Sequence, residues 1–220
     1  MEHEKNIKDL LVDGSAHIGV KLPHDAIEKF IVYFDELRRW NAKINLTSLK
    51  NKSDIIVNLF IDSLAGSLAL DLGKKLSIID IGTGGGFPGL PLKIAFPEIT
   101  LTLIEPKLKK TAFLHHIIGV ISLQEVLVKQ QTIQEFVKAN DSGCSYDCVV
   151  SKAISPEDIF PCVLSVLHKE SRVCIYRSRP IGIADSYFGM NLSRELSYEL
   201  PHGYGERVLT VLQPADSLLK

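Results

Sequence analysis

Leu76–Ala95 reads LSIIDIGTGGGFPGLPLKIA, and this stretch decides the fold of the chain. An apolar run interrupted by Asp80 ends in a cluster of glycines, and Pro88 and a second apolar run follow. The pattern predicts a buried parallel strand, a glycine turn and the start of a helix with Pro88 in its first turn. Glycine suits such a turn because some positions need a positive φ and because the backbone must come close to a ligand. A ligand lying across the turn would meet backbone N–H groups and the positive end of a helix dipole.

Several ligands are compatible with a glycine turn, and a turn without any ligand is a further alternative. A phosphate-binding loop would end in Gly-Lys-Ser or Gly-Lys-Thr, whereas this turn continues as Gly-Phe-Pro. The dinucleotide pattern fits poorly, because its third glycine position, counted from Gly82, is Phe87. The pattern Asp-x-Gly-x-Gly-x-Gly is met by Asp80, Gly82, Gly84 and Gly86. It resembles motif I of the Rossmann-like S-adenosylmethionine (SAM) methyltransferases.

An acid at the end of the next strand supports the SAM interpretation. The alternating segment Thr100–Ile104 ends at Glu105, about twenty residues after the glycines, as one βαβ step requires. A carboxylate at this place can accept hydrogen bonds from both ribose hydroxyls of an adenosine. A plain surface acid is the alternative, but we predict that Glu105 holds the ribose.

Composition describes an ordinary globular chain and excludes some classes of protein. Of 220 residues, 45% are hydrophobic and 23% charged, which is enough for one α/β domain plus an extension. The chain has no long uncharged apolar run and no apolar signal core, so we expect no membrane association. A formal net charge of −1 gives no support for non-specific binding to nucleic acid. We expect a reduced, cytoplasmic protein without a structural metal, because the cysteines have neither CxxC nor zinc spacing: Cys144, Cys148, Cys162 and Cys174.

Hydrophobic periodicity divides the chain into a small helical extension over residues 1–72 and a methyltransferase domain over 73–220. The elements predicted for the extension are a helix Asn6–Ile18 broken around Gly14, a helix His24–Trp40, and a further helix capped by Ser53 or Asp54. Those predicted after the second strand are helices Lys107–Ile118 and Pro156–Leu167 and strands Val126–Val128, Tyr146–Ser151, Arg172–Tyr176, Ser193–Leu200 and Arg207–Gln213.

Alternating strands and helices predict a doubly wound, mostly parallel sheet. Ligands of such sheets bind beyond the carboxyl ends of the strands. The glycine turn, Glu105, the turn at 130–134 and Lys152 all fall at this edge, so they should form one cleft.

Two groups of polar residues in the predicted helix Lys107–Ile118 receive no functional role. Lys107, Lys109 and Lys110 oppose the helix dipole, and we interpret them as a solvated face, with an anionic partner as the alternative. His115 and His116 have no acidic or cysteine partner at ligand spacing.

Six segments together resemble one known family. They are WNAKINLTS from Trp40, IDS at Ile61–Ser63, DIGTGGGFPGLPL, KKTAFL at Lys109–Leu114, VVSKAIS, and Gly-Glu-Arg at Gly205–Arg207. Over nearly its whole length the chain resembles the bacterial small-subunit ribosomal RNA guanine-N7 methyltransferases, also called glucose-inhibited division protein B. The resemblance implies a Rossmann-like class I SAM methyltransferase fold, α/β, with a mostly parallel seven-stranded sheet. It also implies SAM as the cofactor. The substrate would be N7 of a guanine in the 530 loop of 16S rRNA within the small ribosomal subunit. We expect the enzyme to be a monomer.

The same resemblance assigns roles to individual residues. SAM would contact Asp80, Gly82, Gly84, Gly86, Phe87, Glu105, Ile133, Gln134 and Lys152. We also expect Lys152 to be the catalytic residue and Asn45 and Asp62 to bind the RNA. Arg177 and Arg179, like Lys152, follow predicted strand ends on the cofactor side, so we expect them to supply positive charge for binding the RNA. N7 of guanine carries a lone pair and no proton, so the reaction needs no general base and depends on proximity and orientation.

Departures from the family pattern fall on polar positions. Asn58–Leu59 stands where the family usually has Arg-His, and Thr132 and Lys152 each stand where it usually has Arg. Arg177–Ser178 replaces its usual Lys-Gly. Lysine keeps the charge of arginine but loses its flat, bidentate fork. The chain therefore resembles a diverged member of this family, and two alternatives stay open: a SAM-dependent enzyme with another substrate, and a non-catalytic ribosome-binding relative.

Overall fold

A seven-stranded sheet with helices on both faces forms the body of the protein. The computed structural model describes residues 2–139, 145–152, 154, 161–180 and 188–215, with side chains from residue 6 onward. The strands are β1 Ser77–Ile81, β2 Thr100–Ile104, β3 Val126–Lys129, β4 Tyr146–Lys152, β5 Leu167–Arg177, β6 Met190–Leu200 and β7 Gly205–Pro214. Their order is β3-β2-β1-β4-β5-β7-β6, in which β1 to β5 run parallel and β7 is antiparallel to both of its neighbours. The predicted α/β class and mostly parallel sheet are confirmed.

The helices precede the sheet and alternate with its strands. They are α1 Glu2–His17, α2 His24–Asn41, α3 Lys52–Ile55, α4 Asp62–Leu64, α5 Gly89–Ala95, α6 Leu108–Val120 and α7 Ile133–Ala139. A π-helical turn, Ile56–Ile61, joins α3 to α4, and short 3-10 turns occupy Ala65–Leu68, Leu164–Val166 and Pro201–Gly203. In the described residues no helix is long and apolar enough to cross a membrane, and no group of three or more side chains could hold a metal ion.

Strand β1 is buried on both faces, which explains its nearly continuous apolar sequence. Its side chains alternate between two cores, as the two-residue period of a strand requires. Ile78 packs with the helices α5 and α6 and with the helical extension, whereas Ile79 and Ile81 pack with α7 and β5. The glycine turn therefore follows a buried strand in the interior of the sheet.

The helical extension shares one hydrophobic core with the sheet. Phe30, Phe34 and Phe60 lie in the same buried cluster as Ile78 and Phe113. Because this core contains residues from both segments, the division into an extension (1–72) and a methyltransferase domain (73–220) stays a prediction.

Two predictions about the extension are wrong. Helix α1 is not broken at Gly14, because this glycine lets α1 approach the π-helical turn closely: a Cβ there would lie 2.9 Å from Cγ1 of Ile61. The third helix begins at Lys52 after Asn51, so neither Ser53 nor Asp54 caps it.

Strand β5 is longer than the sequence predicts. It begins at Leu167, which pairs with Tyr146 of β4, so the predicted helix Pro156–Leu167 ends before this residue. Residues 161–166 are helical, while 155–160 and Cys144 lie outside the described residues.

Candidate functional site

The glycine turn follows β1 in the conformation that the sequence predicts. Gly82, Gly84 and Gly86 have φ values of +68°, +60° and +101°, which residues with a side chain rarely adopt. Gly86 also has no room for a side chain, since a Cβ would lie 2.5 Å from the hydroxyl oxygen of Tyr33. At Gly84 the space is open, and the nearest atom to a Cβ would be Nζ of Lys110 at 3.7 Å. Helix α5 begins at Gly89, so Pro88 precedes the helix and does not lie in its first turn.

Asp80 lies behind the turn and ties it to α5. Its Oδ2 accepts hydrogen bonds from Oγ1 of Thr83 at 2.6 Å and from the backbone N–H of Gly89 at 2.8 Å. Its Oδ1 is buried and has no partner among the described residues. Burial raises the pKa of Asp80 to about 7, against the opposing effect of these two bonds. Asp80 is 0% exposed, and its observed contacts are with the turn and with α5. Its contact with a cofactor stays a prediction.

Helix α2 of the extension holds the other side of the turn. The buried Tyr33 donates a hydrogen bond from its hydroxyl to the backbone oxygen of Gly85. Its ring stacks on Phe87 at 5.4 Å between centroids and meets Phe60 edge-on at 5.1 Å. The ring of Phe87 is therefore part of the core, and a ligand at the turn would meet the backbone of this residue. Sequence reasoning missed Tyr33, because its partner lies 52 residues further along the chain.

Glu105 lies beside the turn, as predicted. Its Oε2 accepts a hydrogen bond from the N–H of Gly84 at 3.0 Å, and its Oε1 accepts one from the N–H of Lys107 at 2.9 Å. The side chain is 4% exposed. Each carboxylate oxygen can accept more than one hydrogen bond, so these contacts leave capacity for two hydroxyl groups.

A small apolar pocket of about 160 Å³ opens next to the turn. It is lined by Ile81, Gly82, Ile104, Pro106, Gln131, Thr132, Ile133, Gln134 and Ile154. Three residues that were predicted to bind the cofactor therefore converge here: Gly82, Ile133 and Gln134. The side chain of Ile154 covers Gly82 so closely that a Cβ on this glycine would lie 1.8 Å from Cδ1 of the isoleucine.

Thr132, one of the departures from the family pattern, lies immediately before helix α7 and caps it. Its hydroxyl accepts a hydrogen bond from the N–H of Glu135 at 3.2 Å, and the Glu135 carboxylate accepts one from the N–H of Thr132 at 2.7 Å. This reciprocal arrangement is a capping box, and hydrogen bonds from Thr132 lower the pKa of Glu135. The pattern Thr-x-x-Glu is visible in the sequence, so this role could have been predicted.

A second pocket, of about 420 Å³, lies beyond the ends of β4 and β5 and carries positive charge. It is lined by Asp62, Lys152, Ile154, Ile175, Tyr176, Arg177, Ser178, Arg179 and Arg207. Ile154 lines both pockets, so they are neighbours. The structure thus brings together the predicted Asp62, Lys152, Arg177 and Arg179, and it adds Arg207, which sequence reasoning quoted only as part of a motif.

Lys152 is held firmly within this basic pocket. Its Nζ lies 2.6 Å from Oδ2 of Asp62 and donates a hydrogen bond to the backbone oxygen of Asn58 at 2.5 Å. Tyr198 donates a hydrogen bond to Oδ1 of the same aspartate at 2.6 Å. The lysine side chain is 18% exposed and that of Asp62 only 5%, so the charge of Lys152 is largely balanced within the protein.

The structure shows the surroundings of Asn45 and His116. Asn45 is exposed in the loop after α2 and is not among the residues that line either pocket, so its predicted contact with RNA stays a prediction. Asn41 shapes this loop instead, because its Oδ1 accepts hydrogen bonds from the N–H groups of Leu46 and Thr47. His116 does have an acidic partner: its Nε2 lies 2.7 Å from Oε2 of Glu36, which is 80 residues away in sequence and joins α2 to α6.

The family model and the relatives that match this chain by sequence carry the same description. The family model described as rRNA small subunit methyltransferase G matches residues 26–185. A protein of this name from Acetivibrio thermocellus is 36% identical over 154 residues, which cover 70% of this chain and 63% of that relative. One from Oceanobacillus iheyensis is 31% identical over 203 residues, or 90% of this chain and 81% of that relative. The crystal structure of ribosomal protein L11 methylase from Lactobacillus delbrueckii subsp. bulgaricus has the same fold at 12% identity, with a TM-score of 0.54, and the match covers 76% of this chain and 81% of that one.

Proposed function

Because the chain belongs to the rRNA small subunit methyltransferase G family, we propose that it transfers a methyl group from SAM to N7 of a guanine in 16S rRNA. The proposal includes the 530 loop as the target, a monomeric enzyme that uses no metal, and action in the cytoplasm on the small ribosomal subunit. One observation carries it: an apolar pocket at the glycine turn adjoins a basic pocket, and Ile154 lies between them. Such a pair suits a cofactor with an aromatic base beside an anionic substrate.

The residues present fit SAM. The apolar pocket suits adenine, Glu105 has acceptor capacity for the ribose, and the open side of Gly84 leaves space for the amino-acid end. When bound, SAM supplies an electrophilic methyl group. The chain itself provides shape and fixed donors, with Asp80 and Tyr33 keeping the turn in its left-handed conformation.

On the substrate side, the protein has to place N7 and needs no base, since N7 already carries a lone pair. Arg177, Arg179 and Arg207 offer donors for the phosphate or O6 groups of the RNA. We propose that Lys152 acts mainly through its ion pair with Asp62, which fixes the wall between the two pockets.

Mass spectrometry of 16S rRNA from a deletion strain tests the reaction. The proposal predicts loss of one 7-methylguanosine in the 530 loop and its return on complementation. Unchanged rRNA would leave the two alternatives, an enzyme with another substrate and a non-catalytic ribosome-binding protein.

Calorimetry with SAM tests the assigned cleft. SAM binding by the wild-type protein also distinguishes an enzyme with another substrate from a non-catalytic protein that has lost its cofactor. Gly84→Val should abolish binding, because the side chain would enter the proposed ligand space. Gly203→Val is the matched control, since Gly203 also has a positive φ, +75°, and open space around it but lines neither pocket. Equal SAM affinity of the two variants would contradict the assignment.

A further inference from the structure

Asn58 contacts two of the four cations that line the basic pocket, Lys152 and Arg207. It lies in the π-helical turn Ile56–Ile61, a type of helical irregularity that is frequent at functional sites. Its backbone oxygen accepts from Nζ of Lys152 at 2.5 Å, and its side-chain Oδ1 accepts from Nη2 of Arg207 at 3.1 Å. Its Nδ2 donates to the backbone oxygen of Asp54 at 3.0 Å, which fixes the orientation of the amide.

The two cations differ in how their charge is balanced. Lys152 forms an ion pair with the buried Asp62. Arg207 donates to the backbone oxygen of Glu206 at 2.8 Å and to the amide of Asn58, which are both neutral acceptors. Within the part of the chain that the structure describes, Arg207 therefore forms no ion pair, and its guanidinium has further N–H groups available for a ligand.

We propose that Asn58 is a positioning residue that holds the guanidinium of Arg207 at the basic pocket for a phosphate of the RNA substrate. The inference rests on the proposed function, because it assumes that the anion is RNA. A neutral amide is suited to this task, since a carboxylate would neutralise the guanidinium and a cation would repel it.

The first test measures binding of the full-length protein to purified small ribosomal subunits as a function of salt. Arg207→Gln should weaken binding about ten-fold or more at low salt and lower the slope of log K against log salt by about 0.7–0.9, as loss of one phosphate contact does. Asn58→Leu should lower affinity and slope in the same direction. Asn58→Asp should keep the guanidinium of Arg207 in place but balance its charge. The slope of log K against log salt should therefore also be lower than in the wild-type protein.

The second test asks whether Asn58 acts through Arg207. If it does, the double variant Asn58→Leu/Arg207→Gln should bind no more weakly than Arg207→Gln alone. Asn51→Leu is the matched control, because Asn51 lies one residue before α3, is exposed and lines neither pocket. SAM affinity, measured by calorimetry, should be unchanged in all variants, which also shows that they are folded.

Three outcomes overturn the inference: Asn58→Leu behaves like the Asn51 control, the two single changes add in full, or Arg207→Gln leaves the salt slope unchanged. Failure of the proposed function can be distinguished from failure of this inference. In that case the wild-type protein binds subunits with the predicted salt dependence, and the variants weaken it, but no methyl group is transferred.

Discussion

Tyr33→Phe removes a single hydroxyl from the contact between the helical extension and the glycine turn. The ring of Tyr33 stacks on Phe87 and packs against Phe60, so phenylalanine should fill the same space without a cavity. The change leaves the backbone oxygen of Gly85 without its buried donor. An unsatisfied buried acceptor costs about 1–3 kcal/mol, so the free energy of unfolding should fall by that amount, measured by urea denaturation.

The turn should also lose part of its binding-competent population. If the conformation of the turn that binds SAM loses about 1–2 kcal/mol of stability, SAM affinity should fall by up to about 5- to 30-fold. Tyr204→Phe is the matched control, because its hydroxyl donates a hydrogen bond to Oδ1 of Asp54 at 2.7 Å, the residue is half-buried, and it lines neither pocket. It should cost less than about 0.5 kcal/mol and leave SAM affinity unchanged. If Tyr33→Phe costs no more than Tyr204→Phe in either assay, the extension does not hold the turn.

Three other predictions concern residues around the turn. Glu105→Ala should weaken SAM binding ten-fold or more in calorimetry, and a change below two-fold would make Glu105 a purely structural residue. Thr132→Ala should lower the free energy of unfolding by about 1 kcal/mol through loss of the α7 cap, whereas Thr132→Ser should retain it. Asp80 has a folded pKa of about 7, above the ordinary value, so its ionisation destabilises the native state as pH rises from about 4 to 7. Asp80→Asn should remove this decline, and parallel stability curves for variant and wild type between pH 4 and 8 would contradict the assigned pKa.

Local sequence patterns predicted the central part of the fold well. The apolar run before the glycines became β1, the positive φ angles occurred at Gly82, Gly84 and Gly86, and Glu105 lies beside the turn one βαβ step later. These features depend on residues close together in the chain, where period and backbone conformation are dictated by residue type.

Features that depend on distant residues could not be predicted in this way. Sequence alone could not show that Glu36 would face His116 or that Tyr33 would reach the glycine turn. Lys152 lies at the end of β4, as the sequence predicts, but its ion pair with Asp62 depends on how α4 packs against the sheet. The break predicted at Gly14 was wrong because the packing of two helices outweighed the low helix propensity of glycine.

The measurement that tests the central claim most directly is methyl transfer in vitro. Purified small ribosomal subunits from a deletion strain would be incubated with the full-length protein and SAM carrying an isotopically labelled methyl group, and the 16S rRNA would be digested and analysed by mass spectrometry. The account predicts one labelled 7-methylguanosine per subunit, in the 530 loop, and none with Gly84→Val. Label on another nucleotide, or no label although SAM binds, would contradict it.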